Sequence, residues 1–244
     1  ADFGAIVDVI KNIDKEFVSK VSEKPDYIYP ENIERQQITM GASSYLKIAE
    51  GCSYRCGYCI IPYLRGDYHS RTIENVVEEA KKLVKKGVTE IILIAQDTTS
   101  YGIDIYKKPS LPKLLEELNK IEGLGWIRFM YAYPTHLDDE LLDAIANLDK
   151  IVKYVDIPLQ HSHPEVLKLM NRPSFDYRPM IENIRNRIPN VSIRTAFIVG
   201  YPGETEEHFE HLCNFVRDMK FDRMGVFKYS REKGTPSYML PNRV

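Results

Sequence analysis

With 244 residues, 43% of them hydrophobic and 28% charged, the chain can bury a real core, and its length suits one α/β barrel. A formal net charge of −2 leaves no strong basic footprint for a nucleic-acid backbone. No run approaches the roughly eighteen apolar residues of a membrane helix, and no basic segment followed by an apolar one marks secretion. Three of the four cysteines are clustered, which without a secretory leader predicts a reducing, cytoplasmic setting.

Residues 1–43 differ in character from the rest of the chain. Val7, Val9, Ile10, Ile13 and Val18 keep a broken apolar periodicity, and Pro25, Pro30, Gln36 and Gln37 then read as a linker. The first residue is Ala and falls inside an apolar pattern, so this stretch is expected to be the tail of a preceding domain plus a linker.

From Ser44 strands and helices alternate. Tyr45 to Ala49 reads as a short strand ending at the loop Gly-Cys-Ser-Tyr-Arg-Cys-Gly-Tyr-Cys, residues 51–59. Ile73, Val76, Val77, Ala80, Leu83 and Val84 share one helical face behind Thr72 as N-cap. Glu90 to Ala95, nearly all Ile, Leu and Ala, reads as a strand buried on both faces. The alternation continues with a helix over Leu111 to Ile121, a strand over Trp126 to Tyr133 and a helix over Leu137 to Leu148. A strand over Val152 to Ile157 precedes helices over Pro164 to Met170 and Tyr177 to Ile188. Val191 to Val199, Glu206 to Met219 and Met224 to Tyr229 close the series as strand, helix and strand. Six β/α units in succession predict a parallel sheet. Six is fewer than the eight of a closed barrel, so the expected fold is α/β, an open, partial TIM-type barrel over residues 44–237. Residues 238–244 would begin a linker to a further C-terminal domain.

In such barrels the reacting groups sit at the carboxyl ends of the strands. Here those ends are polar: the cysteine loop, Gln96-Asp97-Thr98-Thr99, Tyr131 to His136, Asp156 to His161, Gly200-Tyr201-Pro202-Gly203-Glu204, and Tyr229-Ser230-Arg231-Glu232. Each alone could be an ordinary turn; six on one rim would surround one cavity. Cys52, Cys56 and Cys59, spaced C-x3-C-x2-C, can converge on one face of an iron–sulfur cube and leave its fourth iron open, since a [4Fe–4S] cluster takes four cysteines when closed. Structural zinc wants four ligands, and His69, the nearest candidate, stands ten residues on without a partner. Zinc keeps a smaller share of the reading, and three cysteines on one turn make a poor disulfide framework. Cys213 falls among Phe209, Leu212, Val216 and Met219 at helical spacing and reads as core; His161 and His163 read as loop histidines. Arg194, a charge in a buried strand, needs a partner, either a ligand carboxylate or a neighbouring Asp or Glu.

The cysteine spacing, with Tyr58 directly before the last cysteine, resembles the radical S-adenosylmethionine superfamily. The resemblance implies one [4Fe–4S] cluster held by Cys52, Cys56 and Cys59, with S-adenosylmethionine chelating the open iron. Cleavage of its sulfonium would then give a 5′-deoxyadenosyl radical. It also implies that Tyr58 flanks the adenine and that the segment around Gly200 and Gly203 supports it. Gln96 and Asp97 lie where the superfamily's Gly-Gly-Glu-like element meets the methionine amino group, although those glycines are absent here. Arg194, Gln160 and Tyr229 would complete the cofactor site from the other strand ends. Over residues 43–236 the chain resembles the methylthiotransferases, through Ile-Ala-Glu-Gly-Cys at 48–52, Ile-Pro-Tyr-Leu-Arg-Gly at 61–66 and Arg-Thr-Ala-Phe-Ile-Val-Gly-Tyr-Pro-Gly-Glu-Thr at 194–205. Gln-Asp-Thr-Thr-Ser-Tyr-Gly at 96–102 and Asp-Ile-Pro-Leu-Gln-His at 156–161 are similar to the branch that modifies an aspartate β-carbon of a small-subunit ribosomal protein. That branch implies a second [4Fe–4S] cluster in an N-terminal domain, a C-terminal substrate-gripping domain, and a reductase or flavodoxin-like electron donor. Two rivals stand beside it: a tRNA methylthiotransferase with the same core chemistry, and a non-catalytic iron–sulfur or zinc interaction module.

Overall fold

The computed structural model describes residues 5–15, 36, 41–242 and 244. The linker expected around Pro25, Pro30 and Gln37 lies outside them. The periodic stretch before it forms α1 (Ile6–Asn12), none of whose residues is buried.

β1 (Ser43–Lys47) alternates exposed and buried residues, and the chain then breaks at Ile48 into β2 (Ala49–Glu50). The predicted first strand thus divides in two. Its tail pairs antiparallel with β3 (His69–Ser70) after the one-turn helix α2 (Ile61–Arg65). α3 (Ile73–Lys85) packs Ile73, Val76, Ala80 and Leu83 inward, and the Thr72 side chain accepts the Asn75 N–H at its start. In β4 (Glu90–Ile94), Ile91 and Leu93 are fully buried but Ile92 and Ile94 only partly, so the strand is not buried on both faces as its composition predicts. α4 (Ile103–Tyr106) is a single turn, and α5 (Leu111–Asn119) buries five of its nine residues behind a proline start.

β5 (Trp126–Phe129) ends short of the predicted Tyr133 because Tyr131 takes a left-handed φ of 65°. α6 (Asp139–Asn147) begins where the Asp138 carboxylate accepts the Leu141 N–H. β6 (Tyr154–Asp156), α7 (Pro164–Leu169) and α8 (Arg178–Arg187) come next. β7 (Ser192–Val199), α9 (Glu206–Met219) and β8 (Arg223–Lys228) complete the series. A reciprocal capping box between Thr205 and His208 opens α9.

Two parallel ribbons result, β1-β4-β5 and β6-β7-β8. They meet along a thin seam: Ile127 bridges Ile151, and the Ala132 N–H donates to the Asp156 carbonyl at 2.8 Å. The six strands therefore run in chain order as one curved parallel sheet. Among the described residues its outer strands, β1 and β8, do not pair with each other. The fold is the open, partial barrel that the alternation predicts. Between sheet and helices lies the core, with Leu46, Ile91, Leu114, Ile127, Ile145, Val155, Ile193 and Phe197 all fully buried.

Candidate cofactor site

The cysteine loop is held from both halves of the barrel. Gly51 has φ +74°, and a Cβ there would lie 2.1 Å from the Asp67 carbonyl oxygen, so only glycine fits. The Cys52 N–H donates to the Gly66 carbonyl at 3.1 Å. From the far half, the Gly57 N–H reaches the Met170 carbonyl at 2.8 Å, the Ser237 N–H reaches the Gly57 carbonyl at 2.8 Å, and Asn171 Nδ2 donates to the Arg55 carbonyl at 2.8 Å. A Cβ on Gly57 would stand 2.5 Å from the Tyr201 hydroxyl. These bonds aim Cys52, Cys56 and Cys59 into a cavity of about 770 Å³, within the usual range for a small-molecule site.

Tyr58, Gln96, Gln160, Arg194 and Tyr229 line the same cavity. Gly200 and Gly203 do not line it: the turn after β7 that carries them has φ +74° and +91° at the two glycines. The Gly203 N–H donates to the Asn242 carbonyl, and a Cβ on Gly200 would meet nothing within 4 Å. Cys213 is half-buried on α9 and outside the lining.

Each polar wall residue has a traceable posture. Arg194 Nη1 donates to Asp156 Oδ1 at 2.9 Å, so of the two partners expected for it the neighbouring carboxylate is present. Burial pushes the Asp156 carboxyl up, and Arg194 pulls against that shift without cancelling it. Gln96 donates through Nε2 to Glu50 Oε1 at 3.2 Å, while its Oε1 has no protein hydrogen-bond partner. Burial raises the Glu50 carboxyl, but Lys47 and Arg65 hold it below its ordinary value. Gln160 is left-handed at φ 73°, yet its N–H and carbonyl are bound to Ala196 and Ile198 of β7, both at 2.8 Å. Two bulky left-handed residues, Tyr131 and Gln160, thus stand at adjoining strand ends facing one cavity, which is where strained backbone tends to concentrate.

Residues to which the sequence assigns no role complete the wall. Tyr54 stacks on Tyr133 with ring centres 3.8 Å apart and planes 9° from parallel. The Tyr54 hydroxyl lies 3.3 Å from His136 Nδ1, and burial pushes its phenol up to about 12. Arg172 lines the same cavity with its guanidinium over Tyr133. No local pattern announces these residues, since each meets its partners from a distant segment. Asp97 is buried and spends its carboxylate on Thr99 and Ser100, which makes it an organiser of its own loop.

The sulfur set tests what could bind. Burial pushes the Cys52 thiol up to about 11, with Cys56, Asp97 and Cys59 adding to the rise, and burial likewise raises Cys59. Three thiolates in one desolvated pocket are unfavourable unless a cationic centre neutralises them. Sulfur ligands of a single tetrahedral zinc stand about 3.8 Å apart, given its ~2.3 Å Zn–S bonds. These three do not all fall within 4.8 Å of one another. The unpartnered Gln96 oxygen in the same wall fits an N–H donor on a second ligand. One further group, His163, Glu165 and His208, does bring three ligand atoms within 4.8 Å. Both imidazoles accept backbone N–H bonds at Nδ1, at 3.3 and 3.2 Å, so the neutral rings present Nε2–H, a donor rather than a lone pair for a metal.

An open barrel with three loop cysteines at the strand ends defines a class. The sequence profile of the Radical SAM superfamily matches residues 46–216, and the chain belongs to that superfamily. Over its whole length it is 54% identical to the ribosomal protein uS12 methylthiotransferase RimO of Caldanaerobacter subterraneus and 50% identical to that of Acaryochloris marina. It spans 56% and 55% of those proteins. Among solved structures it is similar to the radical S-adenosylmethionine methyltransferase TsrM from Kitasatospora setae, with a TM-score of 0.67 and 20% identity over 89% of this chain and 43% of that one. It is also similar to coproporphyrinogen III oxidase HemN from Escherichia coli, with a TM-score of 0.55 and 20% identity over 78% and 44%. These likenesses establish the shared fold.

Proposed function

We propose that this chain is the catalytic core of a ribosomal-protein methylthiotransferase, acting on an aspartate β-carbon of the small-subunit protein uS12. One observation carries the reading: Cys52, Cys56 and Cys59 open together onto a cavity of about 770 Å³ at the strand ends. The branch follows from identity of 50% or more, across the full chain, to relatives that bear that name. When bound, a [4Fe–4S] cluster supplies one electron to the sulfonium of S-adenosylmethionine, whose adenosyl fragment can then take hydrogen from an unactivated carbon.

The chain's own residues bind and orient. The three thiolates would hold the cluster, one ligand fewer than a closed [4Fe–4S] centre takes. Gln96 offers its amide oxygen to the cofactor's amino group, and Arg194 keeps guanidinium N–H groups beyond the one spent on Asp156 for its carboxylate. Tyr58 and Tyr229 supply aromatic walls, and Gln160 a polar edge. Residues 44–237 act as the core, residues 1–43 as the tail of a preceding domain plus a linker, and residues 238–244 as the start of a linker to a further domain. Sulfur for the product comes through a second cluster outside this chain, because only Cys213 remains after the first three cysteines. A reductase or flavodoxin-like protein donates the electron. No helix among the described residues is long and apolar enough to cross a membrane, and four free cysteines suit a reducing cytoplasm.

Anaerobic reconstitution is the test. About four irons and four sulfides per chain are expected, as for one [4Fe–4S] centre, and should be lost in a Cys52→Ala, Cys56→Ala, Cys59→Ala triple variant. With S-adenosylmethionine and dithionite the loaded chain should release 5′-deoxyadenosine and methionine. Stoichiometric zinc uptake without iron would refute the reading.

A further inference from the structure

Arg172 brings a positive charge to the cavity with no carboxylate to meet it. It lies just beyond α7 and is fixed by three features: Nη2 donates to the Pro158 carbonyl at 2.6 Å, the guanidinium lies 4.4 Å from the centre of the Tyr133 ring, and Nε is shielded from solvent without a hydrogen-bond partner. Other arginines of the barrel hold carboxylates: Arg71 pairs with Glu79, Arg128 with Glu90, and Arg194 with Asp156. Among the described residues no ion pair forms at Arg172. The ionisable groups around it are phenols and thiols, namely Tyr58, Cys56, Tyr133 and Tyr177, with Cys59 close enough to feel its charge. A guanidinium stacked on an aromatic ring is partly compensated by the ring's negative face. A shielded cation still calls for an anion, and the cysteine sulfurs that line the same cavity become anionic when they bind a metal centre.

We propose that Arg172 is the counter-ion of the cysteine-bound cluster and holds its reduction potential up. This rests on the cluster reading above. A [4Fe–4S] core with three thiolates is net negative, and one electron taken from the reductant adds one more negative charge. No proton need move, because a guanidinium stays protonated at any workable pH. A fixed positive charge in a low-dielectric wall stabilises the reduced state more than the oxidised one, so the midpoint rises. The competing partner is the carboxylate of S-adenosylmethionine, which is absent until the cofactor binds. That difference separates the two roles.

The experiment compares wild type with R172Q and R172K, each reconstituted anaerobically and assayed for iron and sulfide. The reduced cluster is followed by electron paramagnetic resonance through a potentiometric dithionite titration without S-adenosylmethionine. R172Q should shift the midpoint to a more negative potential, and R172K, which keeps the charge but not the planar stack, should stay near wild type. If R172Q takes up no iron, R172M serves as the neutral variant: a midpoint displaced to negative potential supports the proposal, and a wild-type midpoint overturns it. Failure of both R172Q and R172K to load also overturns it, since retained charge should suffice. A loaded R172Q with an unchanged midpoint and a tenfold weaker S-adenosylmethionine affinity assigns the guanidinium to the cofactor instead. A wild type that takes up no iron fails the cluster reading itself.

Discussion

Glu204 has only 4% of its side chain exposed, and its position depends on two neighbours. The Tyr201 N–H donates to Oε2 at 3.0 Å, and the fully buried His161 places Nε2 3.6 Å from Oε1. Burial raises the carboxyl, but His161 and the backbone donors outweigh it and leave it below the ordinary carboxylate value. A depressed folded-state pKa contributes stability above the unfolded carboxyl pKa, and that contribution is lost as pH falls through the folded value. Glu204→Gln keeps an acceptor for the Tyr201 N–H but loses the charge, and should therefore cost about 1 kcal/mol at pH 7, the margin of a charged over a neutral hydrogen bond. It should also flatten the acid limb of stability against pH. Urea denaturation of both proteins from neutral to acid pH measures this, and parallel acid limbs would remove Glu204 as their source.

Among the elements, the cysteine loop and α9 make opposite demands on the chain. Gly57 is pinned between Met170 and Ser237, and a methyl there would press on the Tyr201 hydroxyl and on the Leu169 carbonyl at 3.1 Å. Gly57→Ala should destabilise the fold by about 1–3 kcal/mol, as overpacking does, and reduce iron uptake on reconstitution. Thr205→Ala removes the cap of α9, which costs about 1 kcal/mol, and should leave iron uptake unchanged. An equal loss of iron in both variants would mean that global stability, not the loop, controls loading. The difference between these elements also marks what the residues alone disclose. α3 and α9 are readable because Thr72 and Thr205 precede apolar runs of helical period. α4 is not, since four residues between left-handed Gly102 and Lys107 carry no period at all. The three cysteines declare themselves by spacing, but Tyr54 and Arg172 act through Tyr133, 79 residues after one and 39 before the other, and no window along the chain contains such pairs.

At the scale of the whole molecule, the two ribbons divide the site between them. The cysteines and Gln96 belong to the half built on β1, β4 and β5; Gln160, Arg194 and Tyr229 belong to the half built on β6, β7 and β8. Cofactor binding must bridge that seam, so S-adenosylmethionine should stabilise both halves as one cooperative unit and raise the midpoint of thermal unfolding of the loaded chain. Two separate transitions that persist with saturating cofactor would contradict this. The proposal that sulfur comes from outside this chain is testable at the same scale. This chain should cleave S-adenosylmethionine yet leave uS12 without a methylthio group, because its one spare thiol, Cys213, lies outside the cavity. Mass spectrometry of uS12 after incubation decides this, and a modified aspartate would mean that the barrel carries its own sulfur.

The pinning of Gly57 has a consequence for the timescale on which the site opens. Its N–H crosses from the cysteine loop to Met170, and the Ser237 N–H returns to its carbonyl, so one amide of the loop and one of Ser237 bind together parts of the chain more than a hundred residues apart. Surface loops ordinarily exchange their amide hydrogens with solvent through small local openings. These two can do so only when the first and last thirds of the barrel separate. In deuterated buffer they should exchange with the slow protons of β4 and β7, and the loop that presents the sulfurs would be as long-lived as the core.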